Sequence, residues 1–370
     1  MTERAVRALV LTADYPPDTW SGIGAAVAGQ AGALAARSDA AVRVLVAAPE
    51  GRVMSPATAA DHLVRPLSRR RCPVRAGEFD VLHVHSLALG ELAVRMRLRF
   101  GLPLVYTAHS LLHLELAATP GAAAYVRAQA ALLRASDHVI FLSRAERAAA
   151  LARHPELAGR CGVLPNGVPA AGGPPSAAPG GPVVFAGRFT RTKGIDLLGA
   201  VVAAGSGRRF VLAGGRPDGC GAAVLATLAA RSPRTCEVLG WLPHAATEAL
   251  LGRAGLVVVP SRYEPFGMVA LEAMRAGAPV LAADVGGLPD VVTAGSGGRL
   301  VRSREPAAWR SAIEDVLASP GTWRELSRRG PEHVARHHDP AALAARLLGE
   351  VYRPLVERRD APARVVHAHR

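Results

Sequence analysis

Short apolar runs recur along the chain, and each is followed by an alanine-rich stretch with helical spacing. In the first half these runs occupy residues 6–13, 42–48, 81–85, 104–108, 139–143 and 162–164. In the second half they occupy residues 183–187, 210–214, 236–239, 256–260, 279–283 and 298–301. Strands that alternate with helices build parallel sheets, and near-continuous apolar strands are covered on both faces. The pattern therefore predicts an α/β fold with two doubly wound parallel sheets.

A segment rich in proline and glycine, residues 169–182, separates the two series. Such a segment favours neither a helix nor a strand. We therefore predict one domain over residues 1–170, a second domain over residues 171–338, and a C-terminal helix over residues 339–370. Doubly wound sheets bind ligands at the carboxyl ends of their strands, so the cleft between the domains is the expected site.

Composition places the chain among globular proteins, since 50% of its 370 residues are hydrophobic and 20% are charged. No apolar run approaches the ~20 residues that cross a bilayer, and the first residues lack the long apolar region of a secretory signal. The expectation is a cytoplasmic protein. None of the four cysteines has C-x-x-C spacing, so no zinc or redox motif is predicted.

The net charge of +14 raises the question of an anionic partner. The densest basic run comprises Arg65, Arg69, Arg70, Arg71 and Arg75. No aromatic residue is interleaved with it, and aromatics make up 4% of the chain, so nucleic acid is not an expected partner. A solvated loop is one interpretation of the run, and contact with an anionic acceptor or a membrane surface is the other.

Lys193 is the only lysine among the 44 basic residues, the other 43 being arginine. Its survival in an arginine-dominated composition suggests a position that needs a compact ammonium group. It lies in a polar loop, GRFTRTKG (187–194), between a predicted strand and a predicted helix. A helix start favours anions, and Arg188 with Lys193 suits a pyrophosphate. An exposed turn with two solvated cations is the alternative.

A second polar loop follows the predicted strand at residues 256–260 and contains Glu264. Gly267 permits close approach of a ligand to the backbone, and a helix begins near it. Glu272 lies eight residues after Glu264, about two helical turns along. Both carboxylates thus follow the carboxyl end of a strand, where such folds place their ligands.

Five segments together resemble family 4 of the retaining glycosyltransferases, which have the GT-B architecture of two Rossmann-like domains. The matching segments, in chain order, are LPNGV (164–168), GRFTRTKG (187–194), LAGGRPDG (212–219), LGWLPHAATEALLGRAGLVVVPS (239–261) and EPFGMVALEAMRAGAPVLAADVGGLPDVV (264–292). The resemblance covers nearly the whole chain and is looser in the first domain.

The resemblance implies that the second domain binds a nucleotide-sugar donor, that the first domain binds the acceptor, and that the C-terminal helix crosses back to the first domain. Arg188 and Lys193 would hold its diphosphate, and Glu272 would accept hydrogen bonds from the ribose hydroxyls. Glu264 would contact the transferred sugar. The remaining implied donor contacts are the backbone of Phe266, Gly267, Met268 and Val269, and the strand end at Gly240, Trp241 and Leu242 beside the base.

In the first domain the resemblance places Gly22 and Gly24 at the donor phosphate, although Ser21 stands where relatives have a further glycine. His109, at the end of a strand, would lie beside the donor sugar and act in catalysis with Arg188, Lys193 and Glu264. His85 ends another strand and would face the acceptor, together with His109. A structural role for either histidine is the alternative.

The resemblance implies transfer of a hexose or N-acetylhexosamine from an NDP-sugar, with UDP the expected nucleotide, to an acceptor hydroxyl with retention of configuration. A small natural product such as an aminocyclitol is the first expected acceptor, and inositol phosphates, lipids or polysaccharides are alternatives. A non-catalytic partner protein that binds nucleotide sugars is the alternative of another class. No Asp-x-Asp pair follows a strand, so no metal or other cofactor is expected. Membrane contact is not expected, and the sequence does not predict an oligomeric state.

Overall fold

A computed structural model of the chain describes residues 4–16, 22–47, 63–66, 74–117, 119–169, 177–205, 207–232 and 234–361. The chain divides into two compact units. Unit 1 comprises Met1–Phe141, Ala149–Gly167 and Pro340–Arg370, and unit 2 comprises Leu142–Ala148 and Val168–Asp339.

Each unit is built on one parallel sheet. The strands of unit 1 are β1 (Val6–Thr12), β2 (Ala40–Val46), β3 (Leu63–Pro66), β4 (Val81–Val84), β5 (Leu104–Ala108), β6 (His138–Phe141) and β7 (Cys161–Val163). Those of unit 2 are β8 (Val183–Ala186), β9 (Phe210–Ala213), β10 (Cys236–Gly240), β11 (Leu256–Val259), β12 (Val280–Ala283) and β13 (Gly298–Val301). The strand orders are β3-β2-β1-β4-β5-β6-β7 and β10-β9-β8-β11-β12-β13. Both orders reverse beside the first strand of their sheet, which is the doubly wound arrangement.

Helices follow most strands. In chain order they are α1 (Gly22–Ala35), α2 (Gly90–Phe100), α3 (Leu112–Glu115), α4 (Ala123–Ala135), α5 (Arg144–Arg153), α6 (Ile195–Ala203), α7 (Gly219–Arg231), α8 (His244–Leu251), α9 (Met268–Arg275), α10 (Leu288–Val291), α11 (Pro306–Leu317), α12 (Pro320–His337), α13 (Pro340–Arg346) and α14 (Arg353–Asp360). Single 3₁₀ turns occupy Leu87–Leu89, Pro155–Leu157 and Arg191–Lys193.

The core of unit 1 includes side chains from the end of the chain. Leu347 and Tyr352 are buried in the same apolar cluster as Val81, Val105 and Ile140 of the sheet. The C-terminal helical segment therefore covers part of the unit 1 sheet.

That segment differs from the single helix that its apolar spacing predicts. A π-helical stretch, Leu347–Tyr352, lies between α13 and α14. Pro354 follows it in the first turn of α14. Proline has no amide hydrogen to donate back into a helix and its ring crowds the preceding turn, so the local widening accommodates it.

The core of unit 2 is formed by both faces of its sheet with α6, α9, α11 and α12, and Trp309 is its largest fully buried side chain. Close packing of helices α9 and α12 depends on Gly330, since a β-carbon there would lie 2.5 Å from the Met274 carbonyl oxygen.

The prediction of an α/β fold with two doubly wound parallel sheets is confirmed. The apolar pattern predicts all six strands of unit 2 but misses the short strand β3 of unit 1.

Candidate functional site

The carboxyl ends of three adjacent unit 2 strands are glycines, and they lie against one another. The Gly187 amide donates to the Ala213 carbonyl (2.9 Å), and the Gly214 amide donates to the Gly240 carbonyl (2.7 Å). A β-carbon at Gly214 would lie 1.7 Å from the Gly187 carbonyl oxygen. At this edge of the sheet the strand ends therefore pack backbone against backbone, which a side chain at Gly214 would prevent.

The loop that carries Lys193 is fixed to the neighbouring strand end. Lys193 closes a 3₁₀ turn, and Gly194 follows in the left-handed region with a φ of 77°. The Thr192 carbonyl accepts a hydrogen bond from the Arg262 amide (2.8 Å). A β-carbon at Gly194 would lie 1.9 Å from the Pro260 carbonyl oxygen. These contacts hold the loops after β8 and β11 together.

Lys193 and Glu264 form an ion pair between these two loops. Lys193 Nζ donates to Glu264 Oε2 at 2.8 Å, and Ser261 Oγ donates to the same oxygen at 3.0 Å. The two side chains are 20% and 13% exposed, respectively. The pair is thus largely shielded from water, which strengthens the attraction between its charges.

Glycines also fix the backbone around Glu264. The Glu264 carbonyl accepts a hydrogen bond from the Gly287 amide at 2.8 Å. A β-carbon at Gly286 would lie 2.1 Å from that carbonyl oxygen. Gly267, with a φ of 109°, precedes the first turn of α9. Helix starts have amide groups without intrahelical acceptors, and these can bind a polar ligand.

Glu272 on α9 is a buried carboxylate, 7% exposed. It forms no hydrogen bond or ion pair with any residue that the structure describes. The nearby Arg275 guanidinium is paired with Glu248 instead. Burial raises the pKa of Glu272 to about 7, and the charge of Glu248 adds to the effect, while Arg275 opposes it.

The other residues expected at the donor site occupy varied environments in unit 2. Arg188 is exposed in the loop after β8. Trp241 is 52% exposed beyond the end of β10, and Gly240 and Leu242 on either side of it are partly buried. Phe266 is buried, with its ring 5.8 Å from that of His338. Met268 and Val269 are partly buried in the first turn of α9.

In unit 1, His85 and His109 lie together at the carboxyl ends of β4 and β5. His85 Nδ1 and His109 Nε2 are 3.1 Å apart and share a hydrogen bond. His83 stacks beside His85, with ring centroids 4.1 Å apart. His83 is itself held by Tyr352 Oη and Thr107 Oγ1, each at 2.7 Å.

All three imidazoles have lowered pKa values, and burial is the main cause. The pKa of His83 is lowered to about 3 and that of His109 to about 4, and the pKa of His85 is well below its usual range. Each ring is therefore neutral at physiological pH. His85 and His109 can act there as hydrogen-bond donors or acceptors, but not as cations. His85 Nε2 is buried and has no hydrogen-bond partner among the described residues.

Gln129 of α4 holds the loop that follows His109. Its Nε2 donates to the Ser110 carbonyl (2.7 Å) and to Tyr106 Oη (3.2 Å), and its Oε1 accepts from the Leu112 amide (2.8 Å). Gln129 is buried. The position of His109 therefore depends on a side chain that lies outside its own loop.

Gln129→Met is expected to lower the free energy of unfolding by about 1–3 kcal/mol, because it leaves the partly buried Ser110 carbonyl and Leu112 amide without their Gln129 partner. Urea denaturation measures this value. Gln30→Met on α1 is the matched control, since the Gln30 side chain is partly exposed and forms no hydrogen bond with another described residue. Equal and small effects of both substitutions would show that the Gln129 contacts contribute little.

The two glycines that were predicted to contact the donor phosphate lie in α1 of unit 1. Gly22, at the start of α1, is exposed and Gly24 is buried, whereas Ser21 lies outside the described residues. Of the basic run, Arg69, Arg70 and Arg71 also lie outside them.

Four residues near the candidate sites were not predicted from the sequence: Ser261, His83, Thr107 and Gln129. Ser261 lies three residues before Glu264 in one loop, so its contact could have been proposed from spacing. His83, Thr107 and Gln129 have partners 17 or more residues away in the chain, and no local signal indicates them.

In the described part of the chain, no group of three or more His, Cys, Asp or Glu side chains is arranged to hold a metal ion. No helix there is both long and apolar enough to span a bilayer. The expected independence of metals stays a prediction.

Known families match both halves of the chain. Residues 180–333 match the family "Glycosyl transferases group 1", and residues 20–171 match "Glycosyltransferase Family 4".

Individual proteins agree with this match. The chain is 33% identical to the D-inositol 3-phosphate glycosyltransferase of Streptomyces avermitilis over 291 residues, which are 70% of this chain and 62% of that protein. It therefore spans less than two thirds of that relative's length. Sucrose-phosphate synthase from Thermosynechococcus elongatus has a similar structure (TM-score 0.78, 25% identity, 96% of this chain and 100% of that chain). Anabaena HepE in complex with UDP-glucose shares the fold (TM-score 0.73, 18% identity, 92% and 98%). The strand orders, the glycine-lined strand ends and these matches together show that the chain belongs to family 4 of the glycosyltransferases, with the GT-B architecture.

Proposed function

We propose that the chain transfers a hexose or N-acetylhexosamine from a UDP-sugar to an acceptor hydroxyl. The observation that carries the proposal is the shielded Lys193–Glu264 pair beside the glycine-lined strand ends of unit 2. A cation held in place at such an edge suits a diphosphate, and a neighbouring carboxylate suits sugar hydroxyls. The binding of UDP-glucose by HepE, which has the same fold, makes UDP the first nucleotide to test.

The proposed donor contacts follow from these positions. Lys193 and Arg188 offset the charge of the diphosphate, and the first turn of α9 donates amide hydrogens. Glu264 keeps one carboxylate oxygen on Lys193 and Ser261, and its other oxygen accepts from a sugar hydroxyl. Glu272 accepts from the ribose hydroxyls.

In the proposed reaction the acceptor oxygen forms a bond to the anomeric carbon while the bond from that carbon to the diphosphate breaks. The electron pair leaves on the phosphate oxygen, where Lys193 and Arg188 stabilise the developing charge. The leaving phosphate oxygen takes the proton of the acceptor hydroxyl. Retention of configuration and independence of metals are part of the proposal. His109 acts on the sugar as a neutral hydrogen-bonding group, because its pKa is lowered to about 4.

Inositol phosphate is the first acceptor to test, because D-inositol 3-phosphate glycosyltransferases are relatives at 33–35% identity. Small natural products such as aminocyclitols are the second class. We place the acceptor on unit 1, where His85 and His109 lie at the carboxyl edge of the sheet.

The function is tested by incubating the full chain with UDP-hexoses and UDP-N-acetylhexosamines, without an acceptor, with inositol phosphate or with an aminocyclitol, and detecting the glycoside by mass spectrometry. Thermal stabilisation by each nucleotide sugar is measured in parallel. A free ligand concentration of 100 times Kd adds about 2.7 kcal/mol to the free energy of unfolding. Stabilisation without transfer to any acceptor of either class would favour a non-catalytic nucleotide-sugar-binding protein. Absence of both thermal stabilisation and glycoside formation would contradict the proposal.

Glu272→Gln is expected to stabilise the unliganded protein at pH 8 and to weaken UDP binding. The folded-state pKa of about 7 exceeds the ordinary value of 4.5, so the stabilising contribution of Glu272 is fully present below pH 4.5 and is lost as the pH rises through 7. The glutamine carries no charge at pH 8, whereas the buried glutamate does. The substitution should therefore raise the free energy of unfolding at pH 8 by on the order of 1–3 kcal/mol.

Ribose hydroxyls donate to the ionised carboxylate, so UDP binding to the wild type should weaken below pH 7, by at most about tenfold per pH unit. Urea unfolding and calorimetric titration at pH 6 and 8 measure both effects. Glu325→Gln, an exposed acid on α12, is the control. A variant that loses stability at pH 8, or that binds UDP as the wild type does, would contradict this role of Glu272.

A further inference from the structure

Unit 1 contains a cavity of about 600 Å³. It lies at the edge of the sheet opposite to the one that carries His85 and His109. Its lining includes Pro103, Asp137 and Arg160, which directly precede β5, β6 and β7. The amino ends of parallel strands meet at one edge, whereas the two histidines follow the carboxyl ends. The cavity therefore belongs to neither candidate site described above.

The lining of this cavity is strongly basic. Four arginines and one acidic residue, Asp137, contribute side chains to it. Arg97 forms a two-pronged ion pair with Asp137, at 2.7 and 2.8 Å. Arg359 is paired with Asp360 and Asp80. These two cations are already compensated.

The other two arginines, Arg160 and Arg358, form no ion pair with a described residue. Arg160 donates to main-chain carbonyls only, those of Leu133, Ser136 and Glu156. Carbonyl oxygens fix the guanidinium in place but carry no net charge to offset it. The Arg358 side chain is exposed and forms no hydrogen bond or ion pair with any residue that the structure describes. Two guanidinium groups thus face one cavity without an ion pair to a described residue, although the charge of Arg160 also acts on Asp137 and lowers its pKa.

The shape and the remaining lining fit a ligand larger than a simple ion. The volume lies within the range of about 300–1,000 Å³ that is typical of small-molecule sites. Gly101 and Gly159 leave open space, since a β-carbon at either would meet nothing within 4 Å. Leu98, 71% exposed, and Leu355 add apolar surface beside the arginines.

We propose that this cavity binds the phosphate group of a phosphorylated small molecule or lipid through Arg160 and Arg358. The planar guanidinium donates two parallel hydrogen bonds to phosphate oxygens, which favours phosphate as the ligand. The apolar residues contact the carbon part of the ligand. The site is separate from donor binding and does not require that the proposed function be correct.

The test uses the full chain, with inorganic pyrophosphate as the soluble probe and calorimetric titration in the presence of saturating UDP. Arg358→Ser and Arg160→Ser are each expected to weaken pyrophosphate binding at least about tenfold. This change in Kd corresponds to the loss of one hydrogen bond to a charged group. Arg95→Ser, which removes an equally exposed cation from α2, should leave it unchanged. The Arg358 side chain forms no hydrogen bond or ion pair with a described residue, so its variant should keep the thermal midpoint of the wild type.

The lipid source is tested by sedimentation with phosphatidylcholine vesicles, with and without phosphatidic acid. Binding that requires phosphatidic acid and is lost in Arg358→Ser and Leu98→Ser would identify a lipid headgroup; binding of pyrophosphate alone would identify a soluble phosphate. Lys193→Met separates this site from the donor site, because it should leave the Arg358-dependent binding intact whether or not UDP binds near Lys193. The proposal is overturned if Arg358→Ser binds both probes as the wild type does, or if Arg95→Ser loses as much affinity.

Discussion

Lys193→Met is expected to lower kcat/KM for glycosyl transfer by about two to three orders of magnitude, the usual effect of removing one group that stabilises charge in a transition state. Lys193 is held at 2.8 Å from Glu264, and this ion pair positions the ammonium group. Methionine keeps much of the aliphatic side chain but removes both the charge and the hydrogen bond to Glu264.

The controls separate chemistry from folding. Arg191→Ala removes a cation from the same turn, one that is 70% exposed and only weakly paired with Asp196 (3.9 Å). It should retain wild-type kcat/KM within a few-fold. Lys193→Arg keeps the charge but not the compact shape, and we expect it to restore activity only in part. Steady-state kinetics, with urea unfolding to confirm the fold, provide the measurement. A Lys193→Met enzyme with wild-type kcat/KM would refute the assignment.

Gly194→Ala is expected to lower the free energy of unfolding by more than about 3 kcal/mol, or to prevent folding of unit 2. Two costs add at this position. A left-handed backbone with a φ of 77° costs a non-glycine residue about 1–2 kcal/mol. The added β-carbon would also lie 1.9 Å from the Pro260 carbonyl oxygen, so one loop must move away from the other.

Gly205→Ala distinguishes these costs. Gly205 has a φ of 70° but open space around its β-carbon position, so only the backbone cost should be observed. Urea denaturation of both variants measures the difference. If the two alanines destabilise equally, the contact with Pro260 does not hold the loops together. If Gly194→Ala folds, we expect it also to lose UDP affinity, because Lys193 is the preceding residue.

The regular part of the fold could be predicted because it depends on local sequence. Buried parallel strands require continuous apolar runs, and the six strands of unit 2 all have them. Strand β3 was missed because its four residues, LVRP, include an arginine and a proline, which do not indicate a buried strand. The π-helical turn before Pro354 was missed because apolar spacing does not distinguish it from an α-helix.

Candidate side chains could be placed at strand ends, but their partners could not. The sequence predicts Lys193 and Glu264 as separate donor contacts, and the structure joins them in one ion pair across 71 residues. The buried, unpaired state of Glu272 depends on Arg275 being held by Glu248, on another helix. Likewise, Tyr352 contacts His83 across 269 residues. Such pairings depend on how elements pack, and spacing along the chain does not contain that information.

The position of Tyr352 and its neighbours has a consequence for synthesis of the protein. Unit 2 ends at Asp339, whereas the core of unit 1 needs Leu347, Tyr352 and Leu355. Domains generally fold as their sequence leaves the ribosome, the N-terminal one first. Here that order should be reversed: the nascent chain can complete unit 2 while the first-made sheet still lacks part of its cover. A chain that stops after residue 339 should therefore leave unit 1, rather than unit 2, open to chaperones and proteases.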